Sequence, residues 1–255
     1  MSEPQSIKLR HIVPSVVTAF SICAGMSAIR MSLEGRIELA LYFVLLAVFL
    51  DAADGKLARF LDSASPFGAE LDTLADFFNF GIVPGFLLYN TLYIGTEYAS
   101  LGFLATLVLA VCCALRLARF NLSMRSTEVT LIADDHFVGV PAPALACLAL
   151  MPVFMHLYGF KDTDLPIVRA AYIIGVGLLA VSTIPTFSIK HASIKRSQLP
   201  FAIVAAMVLV MCLVVYPWPT LIMVNLIYLA SLPFSYFSKC KHTKAMQENH
   251  ANSAD

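Results

Sequence analysis

Eight apolar stretches, each close to the length of a bilayer-crossing helix, fill the sequence between about residues 12 and 237. A helix needs roughly 20 apolar residues to cross the hydrocarbon core. The stretches run over about 12–30, 37–55, 68–91, 99–120, 141–159, 166–186, 199–216 and 218–237. The last two are divided by "YPWPT", where Pro217 and Pro219 lack backbone N–H groups and favour a tight turn. No polar segment is long enough for a soluble domain. The mean hydropathy of +0.78 and the charged fraction of 13%, against about 25% for soluble chains, point the same way. The expected fold is all-α: a polytopic membrane helical bundle of about eight transmembrane helices. It forms a single integral-membrane domain over residues 1–238, with a polar cytoplasmic tail over 239–255.

The distribution of basic residues orients this bundle. With the N-terminus inside, one side receives Lys8, Arg10, Lys56, Arg59, Arg116, Arg119, Arg125, Lys190, Lys195, Arg196, Lys239, Lys241 and Lys244. The other receives only Arg30, Arg36, Lys161 and Arg169. The positive-inside rule then places both termini in the cytoplasm and requires an even number of spans. The first apolar stretch is too long for a signal-peptide core and has no clear cleavage site, so it reads as span 1. The formal net charge of zero points to no nucleic-acid partner. The six cysteines are scattered without CxxC or zinc spacing and read as small apolar fillers. The expected location is the inner (plasma) membrane of a prokaryote.

One charged cluster breaks the pattern. Apolar "LYFVLLAVFL" runs into "LDAADGKLARFLD" at the inner end of span 2. At 100° per residue, Asp51, Gly55, Ala58 and Asp62 fall within an arc of about 60°, each within about 40° of Asp51, and Asp54 lies about 60° round from Asp51. That face carries carboxylates and then residues with almost no side chain, which let something bulky approach the backbone. In "SASPFG", Ser65 and Pro66 form an N-cap and first-turn pair, so a new helix starts there. On that helix Gly68, Asp72 and Asp76 are spaced by four. A short connection makes the two helices antiparallel neighbours, so Asp51, Asp54, Asp72 and Asp76 can converge near the cytoplasmic boundary.

A single Asp or Arg at a span end commonly just marks the membrane interface. Four carboxylates on two facing stripes, interleaved with small residues, are harder to explain that way, and ionisable residues at membrane depth are costly. Packed like charges repel, and a divalent cation is the natural remedy. All-oxygen ligands favour Mg²⁺, Mn²⁺ or Ca²⁺ over zinc. Four carboxylates can hold two such ions, and a two-metal site suits displacement at phosphorus.

The run Asp51-x2-Asp54-Gly55-x2-Ala58-Arg59-x8-Gly68-x3-Asp72-x3-Asp76 resembles the signature of the CDP-alcohol phosphotransferase family at every fixed position. The resemblance implies a catalytic core over about residues 12–186. It implies two divalent ions, Mg²⁺ or Mn²⁺, held by Asp51, Asp54, Asp72 and Asp76, with Asp76 also the proposed base. It implies a cytidine nucleotide pocket of Asp54, Gly55, Ala58, Arg59 and Gly68, and a homodimer. "LRLARFN" (115–121), "FVGVPAPA" (137–144), "CAGMSAIRMSLEGR" (23–36) and "LADFFNFGIVP" (74–84) are similar to segments of the family's membrane-embedded phosphatidylserine synthases. Many members open span 1 with Pro-Asn and carry a second Asn six residues on; this chain has Ser15 and Ser21. Asp62 lies outside the pattern and receives no role.

The activity so implied is transfer of the phosphatidyl group of CDP-diacylglycerol to the hydroxyl of L-serine, releasing CMP at the cytoplasmic side of the membrane. Arg116 or Arg119, at the inner end of span 4, is expected to hold the serine carboxylate or the phosphate by a bidentate fork. Asn121 and Asn79 are weaker acceptor-site candidates. His136, beside Asp134 and Asp135, reads as a solvated loop residue. Glycerol 3-phosphate or inositol phosphate are the alternative acceptors within the family. A cation transporter would place ionisable residues deep in several spans, whereas here they gather at one interface.

Overall fold

The computed structural model describes residues 12–63, 65–125, 137–138, 140–160, 165–182, 185–186 and 199–232. The chain is helical throughout these residues, apart from a two-residue antiparallel pair joining Phe137–Val138 to Pro185–Thr186. The helices are α1 (Ile12–Leu33), α2 (Ile37–Phe60), α3 (Pro66–Phe77), α4 (Val83–Leu92), α5 (Ala99–Arg125), α6 (Ala142–Ala149), α7 (Met151–Tyr158), α8 (Pro166–Val181) and α9 (Leu199–Val215). A last helix, α10, covers Pro217–Leu232. Ile12–Leu33, Pro66–Leu92 and Ala99–Leu122 are long and apolar enough to cross a membrane; the helices from α6 onward are shorter but apolar. α2 has 24 residues, with Glu38 near one end and Asp51, Asp54 and Lys56 near the other.

Two helix ends define the first hairpins. At the end of α1, Gly35 has φ +76°, its N–H donates to Ser32 O, and Arg36 N–H donates to Met31 O. This paired closure needs a left-handed residue, and glycine adopts it without steric cost. The end of α2 repeats it. Asp62 has φ +46°, its N–H donates to Arg59 O, and Ser63 N–H donates to Ala58 O. Asp62, given no role from sequence, is the residue that stops α2; aspartate is among the few non-glycine residues that take up this conformation.

Expected span 3 is one rod of α3 and α4 joined by a π turn over Phe78–Ile82. Pro84, in the first turn of α4, has no N–H for the usual bond to Phe80 O. The π turn instead closes with Val83 N–H on Phe78 O. Expected span 5 is two short helices meeting at Leu150. Pro152 cannot donate to Leu148 O, and Tyr172 Oη of α8 donates to that carbonyl at 2.9 Å instead. Expected span 6 ends at Val181 rather than near 186.

α1 packs along α2 and also touches α3 and α4. Small buried residues line its contact face: Ala24, Gly25, Ala28 and Ser32 on α1, Ala40 and Ala47 on α2. Small residues let membrane helices approach closely. Asn90 Nδ2 donates to Ser32 O and Oγ, both at 2.9 Å, pinning α4 to the end of α1. α5 packs on α8, and Tyr93 Oη reaches Pro166 O at 3.1 Å. α9 is exposed along nearly its whole length, with large apolar side chains such as Phe201, Met211 and Val214 outermost. α10 is pinned by Trp218, which stacks on Phe154 (ring centroids 6.1 Å) and contacts Tyr42 (5.5 Å).

Tyr172→Phe is expected to leave the Leu148 carbonyl unsatisfied at the α6–α7 break, at a cost of about 1–3 kcal/mol. Thermal unfolding of the purified protein in detergent would read this as a lower midpoint. An unchanged midpoint would show that the carbonyl does not need the hydroxyl.

Candidate active site

The site is built by the turn between α2 and α3. Asp62 ends α2 as described. Ser65, with extended backbone (φ −130°, ψ 148°), caps α3 by accepting Gly68 N–H at 3.0 Å, and Pro66 opens the first turn. With both ends fixed, the Asp72–Asp76 stripe of α3 lies against the end of α2. One carboxylate oxygen each from Asp51, Asp72 and Asp76 lies within 4.8 Å of the other two. Asp51 and Asp76 are in hydrogen-bonding reach of each other. Among the described residues, no Lys or Arg comes within 4.0 Å of any of these carboxylates.

Asp54 is set apart from this trio. It is 3% exposed, and it faces the Thr18 hydroxyl of α1. Its rotation of about 60° from Asp51 turns it into the α1–α2 contact. Among the described residues its Oδ2 is buried without a hydrogen-bond partner. The structure therefore brings together three of the four expected carboxylates and leaves the fourth beside them, half-satisfied.

The small residues are where the helical spacing predicts. Gly55 is exposed, and a Cβ there would meet nothing within 4 Å. Ala58 is half-buried. At Gly68 a Cβ would stand 3.0 Å from Ser65 Oγ and 3.6 Å from Ser15 Oγ. This glycine thus keeps the cap hydroxyl clear as well as keeping the face low. Arg59 is exposed, and its Nε donates to Gly55 O at 3.0 Å, so its side chain folds back along the Gly55 face.

The other candidates differ in position. Arg116 is half-buried; its Nε donates to Val140 O, and it acts electrostatically on Asp76. Arg119 is exposed and donates to Val181 O at 2.6 Å, joining α5 to the end of α8. Asn121 Nδ2 donates to Thr73 Oγ1 at 3.1 Å, bracing α3 beside Asp72. Asn79 is 1% exposed in the π turn. Its Nδ2 donates to Ser21 Oγ at 3.1 Å and its Oδ1 is buried with no hydrogen-bond partner, so its amide faces α1. His136, Asp134, Asp135, Lys190, Lys195, Arg196 and the tail from Lys239 lie outside the described residues.

Sequence reasoning passed over Thr18 and noted Ser21 only as a departure from the family pattern; both lie on α1 among apolar residues, and their spacing gave no sign that they meet Asp54 and Asn79. Ser21, at the position where relatives of the signature carry Asn, turns out to be a core hydrogen-bond partner.

Oxygen-only donors, three of them convergent and, among the described residues, none within ion-pair distance of a Lys or Arg, fit a hard divalent cation such as Mg²⁺ or Mn²⁺. The partnerless Oδ2 of Asp54 adds a fourth oxygen close by. Asp51, Asp72 and Asp76 would be the primary ligands, with Asp54 at the flank. Such an ion supplies charge neutralisation for a phosphoryl group and polarises its oxygens. The open face at Gly55 gives a large polar ligand access to this cluster.

A family model described as CDP-alcohol phosphatidyltransferase matches residues 11–184. A Mycobacterium tuberculosis (strain ATCC 25618 / H37Rv) protein named CDP-diacylglycerol–serine O-phosphatidyltransferase is 32% identical over 90% of this chain and 79% of its own length. Proteins of the same name from Bacillus subtilis (strain 168) and Helicobacter pylori (strain ATCC 700392 / 26695) are also similar. The first is 32% identical over 72% of this chain and 94% of its own length. The second is 31% identical over 68% and 71%.

The Asn79–α1 contact is tight enough to test. A Cβ on Gly25 would stand 2.3 Å from Asn79 Oδ1 and 3.0 Å from the Phe78 ring. Gly25→Ala is expected to cost about 1–3 kcal/mol by overpacking, and adding Asn79→Ala should recover part of it. Thermal melting of the single and double variants checks this; additive losses would contradict it.

Proposed function

The chain belongs to the CDP-alcohol phosphatidyltransferase family, and on that premise we propose that it transfers the phosphatidyl group of CDP-diacylglycerol to the hydroxyl of L-serine, giving phosphatidylserine and CMP. The observation that carries this reading is the meeting of the Asp51, Asp72 and Asp76 carboxylates beside an open glycine face. The relatives' shared name supports serine as the acceptor.

Each residue has a task that its position suits. Gly55, Ala58 and Gly68 give the cytidine nucleotide room against the backbone, and the Arg59 guanidinium lies over the same face to meet the diphosphate. Asp51, Asp54, Asp72 and Asp76 hold divalent metal, one or two ions, which neutralises diphosphate charge when bound. Asp76 takes the proton of the serine hydroxyl as that oxygen bonds to the phosphorus bearing diacylglycerol. The bond from this phosphorus to the bridging oxygen breaks, and CMP leaves with that oxygen. Arg116, the arginine that acts on Asp76, binds the serine carboxylate. Arg119, engaged at Val181 O, braces α5 and α8.

The bundle in this reading crosses the inner membrane eight times with both termini in the cytoplasm. The carboxylates then sit at the cytoplasmic boundary. The acyl chains stay in lipid while the headgroup reaches the aspartates from the side. This explains a catalytic cluster at a helix end instead of in a soluble domain.

Purified protein with Mn²⁺, CDP-diacylglycerol and labelled serine is expected to release CMP and form phosphatidylserine. Asp76→Asn should lower turnover by about 10²- to 10⁴-fold while the protein still binds CDP-diacylglycerol; near-normal turnover would remove Asp76 as the base. Release of CMP with glycerol 3-phosphate but not with serine would reassign the acceptor. Arg116→Lys should raise the serine KM more than Arg119→Lys does; equal, unchanged kinetics would leave both arginines as anchors.

A further inference from the structure

Arg116 stands where four parts of the fold meet. It projects from α5, its Nε donates to Val140 O just ahead of α6, and it acts electrostatically on Asp76 of α3 and on Tyr228 of α10. Among the described residues the Tyr228 hydroxyl is buried and has no hydrogen-bond partner. Buried tyrosine hydroxyls ordinarily find one, so this oxygen is open to a ligand donor or acceptor.

α10 is held firmly in the orientation that presents this group. Asn225, one turn earlier and on the same face, is 2% exposed, and its Nδ2 donates to Cys147 O of α6 at 2.9 Å. Trp218 locks the start of the helix against Phe154. The opposite face carries exposed Met223 and Ile227. α10 therefore turns two polar groups, Asn225 and the Tyr228 hydroxyl, inward among apolar Trp218, Leu221 and Leu232, in a segment that lies outside the family match of residues 11–184.

We propose that Tyr228 is a specificity-determining residue for the acceptor, its hydroxyl and the Arg116 guanidinium together binding the carboxylate of an amino-acid alcohol. The inference rests on the serine reading and deepens it. A carboxylate has two oxygens and about four lone-pair sites, and a guanidinium has five N–H donors. Arg116 spends one of these on Val140 O, which fixes the plane of the fork. A neutral phenol beside it adds a donor for the second carboxylate oxygen without adding charge next to Asp76. A phosphate acceptor carries more charge and would call for a further cation at this position, where the chain places a tyrosine.

The test compares wild type and Tyr228→Phe, both full length and purified, by CMP release with Mn²⁺, CDP-diacylglycerol and L-serine. The substitution removes one oxygen that has no partner in the fold, so the melting temperature is expected to stay the same. The serine KM should rise roughly tenfold to a hundredfold, the effect of losing one hydrogen bond to a charged group. The kcat and the CDP-diacylglycerol KM should stay within a few-fold of wild type. An unchanged serine KM, an equal rise in both KM values, or a fall in kcat alone would overturn the assignment while leaving the serine reading intact. A wild-type protein active with glycerol 3-phosphate and inactive with serine would overturn both.

Discussion

The convergence of the Asp51, Asp72 and Asp76 carboxylates is the constraint on which the site depends. Were all three ionised, oxygens 4.8 Å apart would repel by about 3 to 4 kcal/mol per pair in an effective dielectric near 20; a proton shared by Asp51 and Asp76 relieves part of this. The Ser65 cap that helps close the α2–α3 turn contributes only about 1 kcal/mol. Local structure alone therefore does not offset the repulsion. A divalent cation would, and the surrounding architecture holds these oxygens where one could bind.

That architecture has two parts. On one side, α1 approaches α2 through small residues and offers hydroxyls to the site helices, with Thr18 facing Asp54 and Ser21 accepting from Asn79. On the other, α5 braces α3 through the Asn121–Thr73 hydrogen bond and carries Arg116 toward Asp76. The π turn lies between them and sets Asn79 against Gly25. The chemistry needs carboxylates placed to within a fraction of an ångström, and these contacts fix α3 from both flanks. The C-terminal helix adds a third element, since Tyr228 approaches Arg116 from outside the part of the chain that defines the family.

Much of this was legible in the sequence because it follows from periodicity and from single-residue backbone preferences. Helix order, the Ser65–Pro66 start of α3 and the facing aspartate stripes all follow from 100° per residue and from capping chemistry. The displacement of Asp54 from the other three carboxylates was not legible, because it depends on which neighbour each side of α2 meets. The roles of Thr18, Ser21 and Tyr228 were hidden for the same reason: a lone hydroxyl in an apolar helix has no pattern until its partner is known. Pro84 and Pro152 were visible as residues, but their consequences, a π turn and a break repaired by Tyr172, depend on tertiary contacts. Asp62 shares a helix face with Asp51 but received no role from sequence; its backbone angle shows that it ends the helix.

The most direct test of the central claim is a Mn²⁺ titration of the purified protein followed by electron paramagnetic resonance, with Asp51→Asn and Asp72→Asn as comparisons. If these carboxylates form a divalent-metal site, the wild type binds Mn²⁺ and each variant binds it at least tenfold more weakly while keeping its helical content. Equal Mn²⁺ binding by wild type and both variants would contradict the account, because the convergence of carboxylates would then have no cation to explain it.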